Sequence, residues 1–216
     1  MTIARSLLAT LPLGLASLFA QAQVVDVPAT KEIKCAKAEV TCLAVSPKGD
    51  KILVGLDHGA ELYDLESGRK LHTYQFSEDE SNVVYYCAFN PNGEFVVLTG
   101  YSGKREVWDV KSGKQDKEIA PHNWIPDPRA TKAMGLQASN SSFDRFYQQA
   151  EASHGSVKAK AVKDGVVEFS DAEGKVLQKL APPANKDPHH RAPCLFHEQW
   201  FVTGTDDGRA LFYTVR

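Results

Sequence analysis

The sequence predicts an all-β chain made of stacked four-stranded antiparallel sheets, and three observations predict it. First, Val40–Phe76 and Val83–Ile119 repeat one order of apolar runs and turns, with Pro47 matching Pro91 and Gly49 matching Gly93 at a spacing of 44, and Gly68 matching Gly113 at 45. Second, each copy holds four short runs of β-branched, aromatic and aliphatic residues separated by Gly, Pro, Asn and Asp, the pattern of an antiparallel meander. Third, helical periodicity is absent from the apolar residues. A lone meander is apolar on both faces and cannot bury itself, so the copies must stack face to face. Radial stacking gives a β-propeller, which protects most sheet edges.

The chain opens with Arg5, an apolar stretch from Leu7 to Ala20, and the small-x-small site Ala20-Gln21-Ala22. This reads as a secretory signal peptide over residues 1–22, cleaved after Ala22. Its apolar run of about 14 residues is short of the roughly 20 that span a bilayer, and it contains Pro12 and Gly14. Gln23, not Cys, follows the cut, which argues against a lipid anchor, and no later segment reads as a membrane span. The expected location is therefore periplasmic or secreted. Residues 23–39 form an N-terminal segment in which Val24–Ala29 reads as a disordered terminus and Glu32-Ile33-Lys34-Cys35 as a strand that belongs to no copy.

The propeller domain is expected over residues 40–216. In copy one, Cys42–Val45, Ile52–Gly55, Ala60–Leu65 and Lys70–Phe76 are separated by the turns Ser46–Asp50, Asp57–Gly59 and Glu66–Arg69. Copy two supplies Cys87–Phe89, Phe95–Leu98, Glu106–Val110 and Gln115–Ile119 in the same order. A third copy is clear in its later part, with Lys158–Val162, Val166–Asp171 and Val176–Leu180, while its front, from about Ala133 to Gln149, is degenerate. The last copy has Cys194–Phe196, Trp200–Gly204 and Arg209–Val215, and there the chain stops one strand early. The segment at residues 32–35 is expected to supply that missing outer strand, closing the last blade by ladder hydrogen bonds. Four to five blades result, the fifth arising if Ala120–Gln149 forms an irregular one; the other way to complete so small a ring is a homodimer.

These copies resemble WD40 repeats over roughly Val40–Arg216. Trp108-Asp109-Val110 with Ser112-Gly113-Lys114 is similar to the family's end of the third strand and the turn after it. Tyr63-Asp64-Leu65 and Phe169-Ser170-Asp171 look like variants of that position, and Thr203–Gly208 resembles the second-to-third-strand turn. The Gly-His pair that opens such repeats is missing, and His58 and Ser102 replace the Asp that precedes Gly in the second turn, so the family's hydrogen-bond tetrad is not implied here.

With 25 basic and 27 acidic residues mixed along the chain, there is no electrostatic footprint for nucleic acid or an anionic membrane surface. Cys35, Cys42, Cys87 and Cys194 permit one or two disulfides in an oxidising compartment; the connectivity is open, and Cys42 and Cys87 in innermost strands suit buried thiols equally well. His189-His190-x3-Cys194-x2-His197 has metal-ligand residue types, but neighbouring positions on a strand alternate faces, so a His-rich loop is the expected reading. His197-Glu198 begins like a zinc-protease motif, yet Phe201 stands where its second His belongs. There is no nucleophile elbow and no phosphate loop; Asp206-Asp207-Gly208 reads as a tight turn, Glu78-Asp79-Glu80 as a solvated loop, and Asn140-Ser141-Ser142 as a glycosylation acceptor relevant only in a eukaryotic host. No catalytic residue, cofactor or metal is expected.

In a propeller the second-to-third-strand turns and the links between blades share one rim. That rim is expected to gather Asp57, His58, Tyr101, Arg105, Asp164, Asp207 and Arg209, with Trp124 and Arg129 rising on a long link. Aromatics and Arg anchor interfaces, so the expected function is non-catalytic protein–protein interaction. The alternatives are a hydrolase or lyase at the channel mouth, for which His58, His189 and Asp207 are the nameable set, and binding of a small ligand or metal.

Overall fold

The computed structural model describes residues 23–77, 82–100, 104–118, 136–137, 148–182 and 186–216. β1 (Lys31–Lys34) precedes blade 1, which consists of β2 (Val40–Val45), β3 (Lys51–Leu56), β4 (Gly59–Asp64) and β5 (Lys70–Tyr74). Blade 2 is β6 (Tyr86–Phe89), β7 (Phe95–Thr99), β8 (Arg105–Asp109) and β9 (Gln115–Asp116). β10 (Leu136–Gln137) and β11 (Gln148–Gln149) form a separate two-stranded ladder. Blade 3 is β12 (Glu151–His154), β13 (Val157–Ala161), β14 (Val167–Ser170) and β15 (Val176–Leu180), and blade 4 is β16 (Cys194–His197), β17 (Trp200–Gly204) and β18 (Arg209–Thr214) with β1 on its outer edge. The architecture is all-β, with four four-stranded antiparallel blades among the described residues.

The closing strand is present one residue earlier than expected. β1 pairs antiparallel with β18, Lys31 opposite Phe212 and Lys34 opposite Arg209, and Ile33 is buried in the blade. The expectation of a disordered Val24–Ala29 is corrected. Val24 and Val25 are buried, Val25 bridges Val215, and the Gln178 side chain accepts from Val24 N–H (2.7 Å) and Val25 N–H (2.9 Å) while donating to the Val25 carbonyl (3.0 Å). One glutamine thus supplies three of the backbone bonds that this short stretch needs to enter a core.

The front of the third copy is also corrected. Its inner strand is β12, Glu151–His154, not a run between Ala133 and Gln149. Glu-Ala-Ser-His has no large apolar side chain to announce it, and Ala152 lies opposite small Ala159 in the ladder. The described part of Ala120–Gln149 forms the two-residue strands β10 and β11, not a fifth four-stranded blade.

Strand alternation builds the core. In β4, Ala60 and Leu62 face blade 2 while Tyr63 faces blade 4; in β18, Ala210 and Phe212 face blade 1 while Leu211 and Tyr213 face blade 3. The dry interfaces so formed join blades 3 and 4, 4 and 1, and 1 and 2. Aromatic rings fill the widening outer parts, with Phe169 edge-on to Phe201 (centroids 4.9 Å), Trp200 to Phe212 (6.2 Å) and Tyr74 tilted on Trp108 (5.4 Å). Successive blades are joined by one repeated device. Val40 N–H donates to the Thr205 carbonyl and Val84 N–H to the Leu56 carbonyl, each at 3.0 Å, and Gly204 leaves room for Val40.

Blade 3 differs on its other face. Glu151, Lys160, Glu168 and Lys179 lie in one row across its four strands, with ion pairs Lys160–Glu151 (3.1 Å) and Lys179–Glu168 (2.7 Å), and Lys158 and Lys160 are exposed. That face is wet.

Candidate functional site

The rim carrying the second-to-third-strand turns is cross-braced where blades 3, 4 and 1 meet. The Asp206 carboxylate accepts from the backbone N–H groups of Lys186 (2.6 Å) and Asp187 (2.9 Å), tying the turn of blade 4 to the link that enters it. The same link meets blade 3, where Asp164 N–H donates to the Pro188 carbonyl (3.3 Å) and Gly165 N–H to that of His190 (3.0 Å). His190 is fully buried. Its Nδ1 lies 2.6 Å from Glu39 Oε1 and its Nε2 3.1 Å from the Gly204 carbonyl. Burial opposes a charge on this ring, but acceptors at both nitrogens, with Asp206 nearby, hold its pKa above the usual histidine range. Blade 1 joins through Glu61, which accepts from Ala36 N–H (3.0 Å), from Lys70 Nζ (2.7 Å) and from the Tyr63 hydroxyl. Burial raises the Glu61 pKa, and these three donors outweigh it, so the carboxyl stays below its ordinary value.

Six of the nine expected rim residues lie among the described residues. Asp57 and His58 sit in the β3–β4 turn, half exposed and paired with each other at 2.9 Å. Arg105 opens β8 and is exposed. Asp164 occupies the left-handed region (φ 62°) inside a 3₁₀ turn, Lys163–Gly165. Asp207 accepts from Thr205 Oγ1 (2.6 Å) and Arg209 Nε (2.8 Å); burial raises its pKa and these donors bring it below the ordinary value. Arg209 reaches Glu32 as well, at 3.8 Å. Tyr101, Trp124 and Arg129 lie outside the described residues, as do Glu78-Asp79-Glu80 and Asn140-Ser141-Ser142.

The residues considered for catalysis stand on three separate segments, the β3–β4 turn, the link into blade 4 and the β17–β18 turn. His58 is engaged by Asp57, Asp207 by Thr205 and Arg209, and His189 donates its backbone N–H to Asp187 (2.8 Å). The His189–His197 cluster disperses in the same way. His190 faces Glu39, the Cys194 thiol is buried toward the Ala192 carbonyl (3.7 Å), and His197 lies beside the turn at Gly49 on the opposite rim. Among the described residues no group of three His, Cys, Asp or Glu side chains is placed to hold a metal. The sequence reading gave Glu39 and Glu61 no site role, and read His190 and Asp206 only as parts of a His-rich loop and a tight turn. Glu61 left a signal: it is a charge inside the otherwise apolar run Ala60-Glu61-Leu62-Tyr63, and a charge there needs partners.

A cavity of about 420 Å³ opens between the inner strands, lined chiefly by β2 and β6 with Leu195 of β16 and Gln149 of β11. The Gln149 side chain accepts from the Leu43 N–H at 3.0 Å, on the inner edge of blade 1. Leu43, Val45, Ala88 and Phe89 make the wall largely apolar.

No family model matches the chain, and no curated protein does. Solved structures do. One described as "Structure of U3-55K" is similar at 18% identity and a TM-score of 0.38, covering 80% of this chain and 47% of that one. "Crystal structure of RRP9 WD40 repeats" is similar at 16% identity and a TM-score of 0.39, covering 88% of this chain and 56% of that one. The chain spans about half the length of these structures. Its own sheets carry the fold. The protein is built of β-propeller blades. These four-stranded antiparallel blades are the ones a divergent WD40 resemblance implies, down to Asp64 and Asp109, which accept from the backbone N–H of Ser67 (2.8 Å) and Ser112 (2.6 Å) in the turn after the third strand.

Proposed function

We propose that this protein is an exported, non-catalytic interaction platform that holds a protein partner on the rim of the second-to-third-strand turns. The observation that carries the reading is the bracing of that rim. The turns at residues 163–165 and 205–208 and the segments at 36–39 and 186–190 are fixed to one another by hydrogen bonds, so a partner meets a surface whose ordering entropy has already been lost. Asp57, His58, Arg105 and Asp164 are the groups this arrangement leaves presented, and Tyr101, Trp124 and Arg129 extend the set in sequence. Mixed charge supports a protein partner over nucleic acid. Export is supported by Leu7–Ala20 and the site at Ala22, and cleavage there leaves Gln23 as the first residue, immediately ahead of the buried Val24 and Val25.

A photo-crosslinking side chain placed at Arg105 or Asp164, and in a control at Lys111 on the opposite rim, tests the reading in the producing cell. A discrete protein adduct from the first two positions and none from Lys111 is the expected result. Equal labelling from both rims, or none from either, overturns it. N-terminal sequencing of the same protein is expected to begin at Gln23.

A further inference from the structure

Cys42 and Cys87 lie on the inner strands of adjacent blades, β2 and β6, and they are 45 residues apart where those strands repeat at 44. One step out of register is a change of face. The position equivalent to Cys42 is Tyr86, which packs on the far side of blade 2, and the position equivalent to Cys87 is Leu43, which faces blade 4. Cys42 therefore points forward from blade 1 and Cys87 points back from blade 2, into the same core between the two. Both side chains belong to that one core, and both residues line the cavity between β2 and β6.

Gly55 makes room for the first of them: a Cβ at that position would lie 2.2 Å from Cys42 Sγ. Neither sulfur has a strong polar partner: Cys42 Sγ lies 3.6 Å from the Val84 carbonyl and Cys87 Sγ 4.0 Å from that of Leu53. The other two cysteines are elsewhere, Cys35 after β1 beside Tyr63 and Cys194 in the core between blades 3 and 4. All four are thiols in this structure.

We propose that Cys42 and Cys87 form a disulfide that staples blade 1 to blade 2. A thiolate of the pair attacks a small-molecule disulfide such as oxidised glutathione, breaking its S–S bond and releasing one glutathione thiol. The second cysteine thiolate then attacks the mixed disulfide, forming the Cys42–Cys87 bond and releasing the second glutathione. Two electrons and two protons pass from the cysteine pair to glutathione, which is reduced. Both cysteines are open to the reagent before the blades pack, and in the folded protein they border the cavity between the inner strands. Burial holds the Cys87 thiol well above its ordinary range, so exchange is slow once the blades have packed and the bond closes during folding.

The test is refolding of the reduced mature chain in a glutathione redox buffer, followed by alkylation under denaturing conditions, intact mass and peptide mapping. The expected product is lighter by two hydrogens, alkylated at Cys35 and Cys194 only, and yields a Cys42–Cys87 linked peptide. Because the bond closes a loop containing nearly all of blade 1, it is expected to melt roughly 5–15 °C above the reduced protein. Cys42→Ser and Cys87→Ser each abolish the mass loss, while Cys35→Ser and Cys194→Ser retain it. Alkylation of all four cysteines in the refolded wild type, or a different pairing, overturns the proposal without reference to any partner or to export.

Discussion

At Gly208, two demands on a single residue coincide. Its φ is +86°, and a Cβ there would lie 1.9 Å from the Ala36 carbonyl oxygen, on the segment that leads from β1 to β2. Gly174 shares the conformation (φ +84°) but has nothing within 4 Å of its would-be Cβ. Gly174→Ala is expected to cost about 1 kcal/mol from backbone strain alone, and Gly208→Ala about 3 kcal/mol or more, because a backbone atom must also move. Chemical denaturation of the two variants checks the difference. His190 gives the second prediction at this scale. Its folded pKa is raised, so its stabilisation is complete below the unfolded value near 6.5 and is lost as pH rises through the folded value. Glu39 and Asp206 are the charged groups that face it. Replacement by Gln is expected to cost about 2 kcal/mol at pH 6 and clearly less at pH 9, read as the gap between wild-type and variant melting curves. Sequence alone showed His190 as one member of a His-rich loop; its importance rests on two acceptors from distant segments, Glu39 and Gly204, which no local pattern announces.

Among elements, β1 carries the most consequence for its length. It covers the outer edge of β18, buries Ile33, and lets the first and last described segments share one sheet. Ile33→Ala is expected to cost about 2–4 kcal/mol, and deletion of Lys31–Lys34 to lower the melting temperature far more than deletion within an exposed turn. An unchanged melting temperature after that deletion contradicts the closure. This strand was legible because the last copy stops one strand short and a spare strand stands at the front. Val24 and Val25 were not legible, since the glutamine that draws them into the core is 153 residues away from Val25. β12 failed for a different reason: its ladder is backbone pairing over small and polar side chains, which leaves no hydrophobic alternation to read. The turns were read well because Gly, Asn, Asp and Pro act locally there, whereas the bracing of the rim is a property of four segments meeting.

For the whole molecule, the blades pack as an ordered series from 3 through 4 and 1 to 2, and the two outward faces of that series are unlike. On the face of blade 2 away from blade 1, Tyr86, Val97 and Val107 are covered, while on the face of blade 3 away from blade 4 a row of alternating glutamates and lysines reaches water. A monomer is therefore expected by light scattering of the mature chain, in preference to the homodimer that the low blade number suggested. Replacing Lys160, Glu168 and Lys179 together with Val is expected to shift that mass upward by making the wet face apolar.

The charged row of blade 3 also governs how copies meet when they are crowded. A series of sheets with a direction is a natural head-to-tail polymer: the leading face of one copy could continue onto the trailing face of the next without any symmetry to stop it. On this chain such an addition would strip water from two lysines and two glutamates at every junction, while leaving their existing pairs no stronger than before. The row is therefore expected to act as a full stop on such growth, at the cost of a little core.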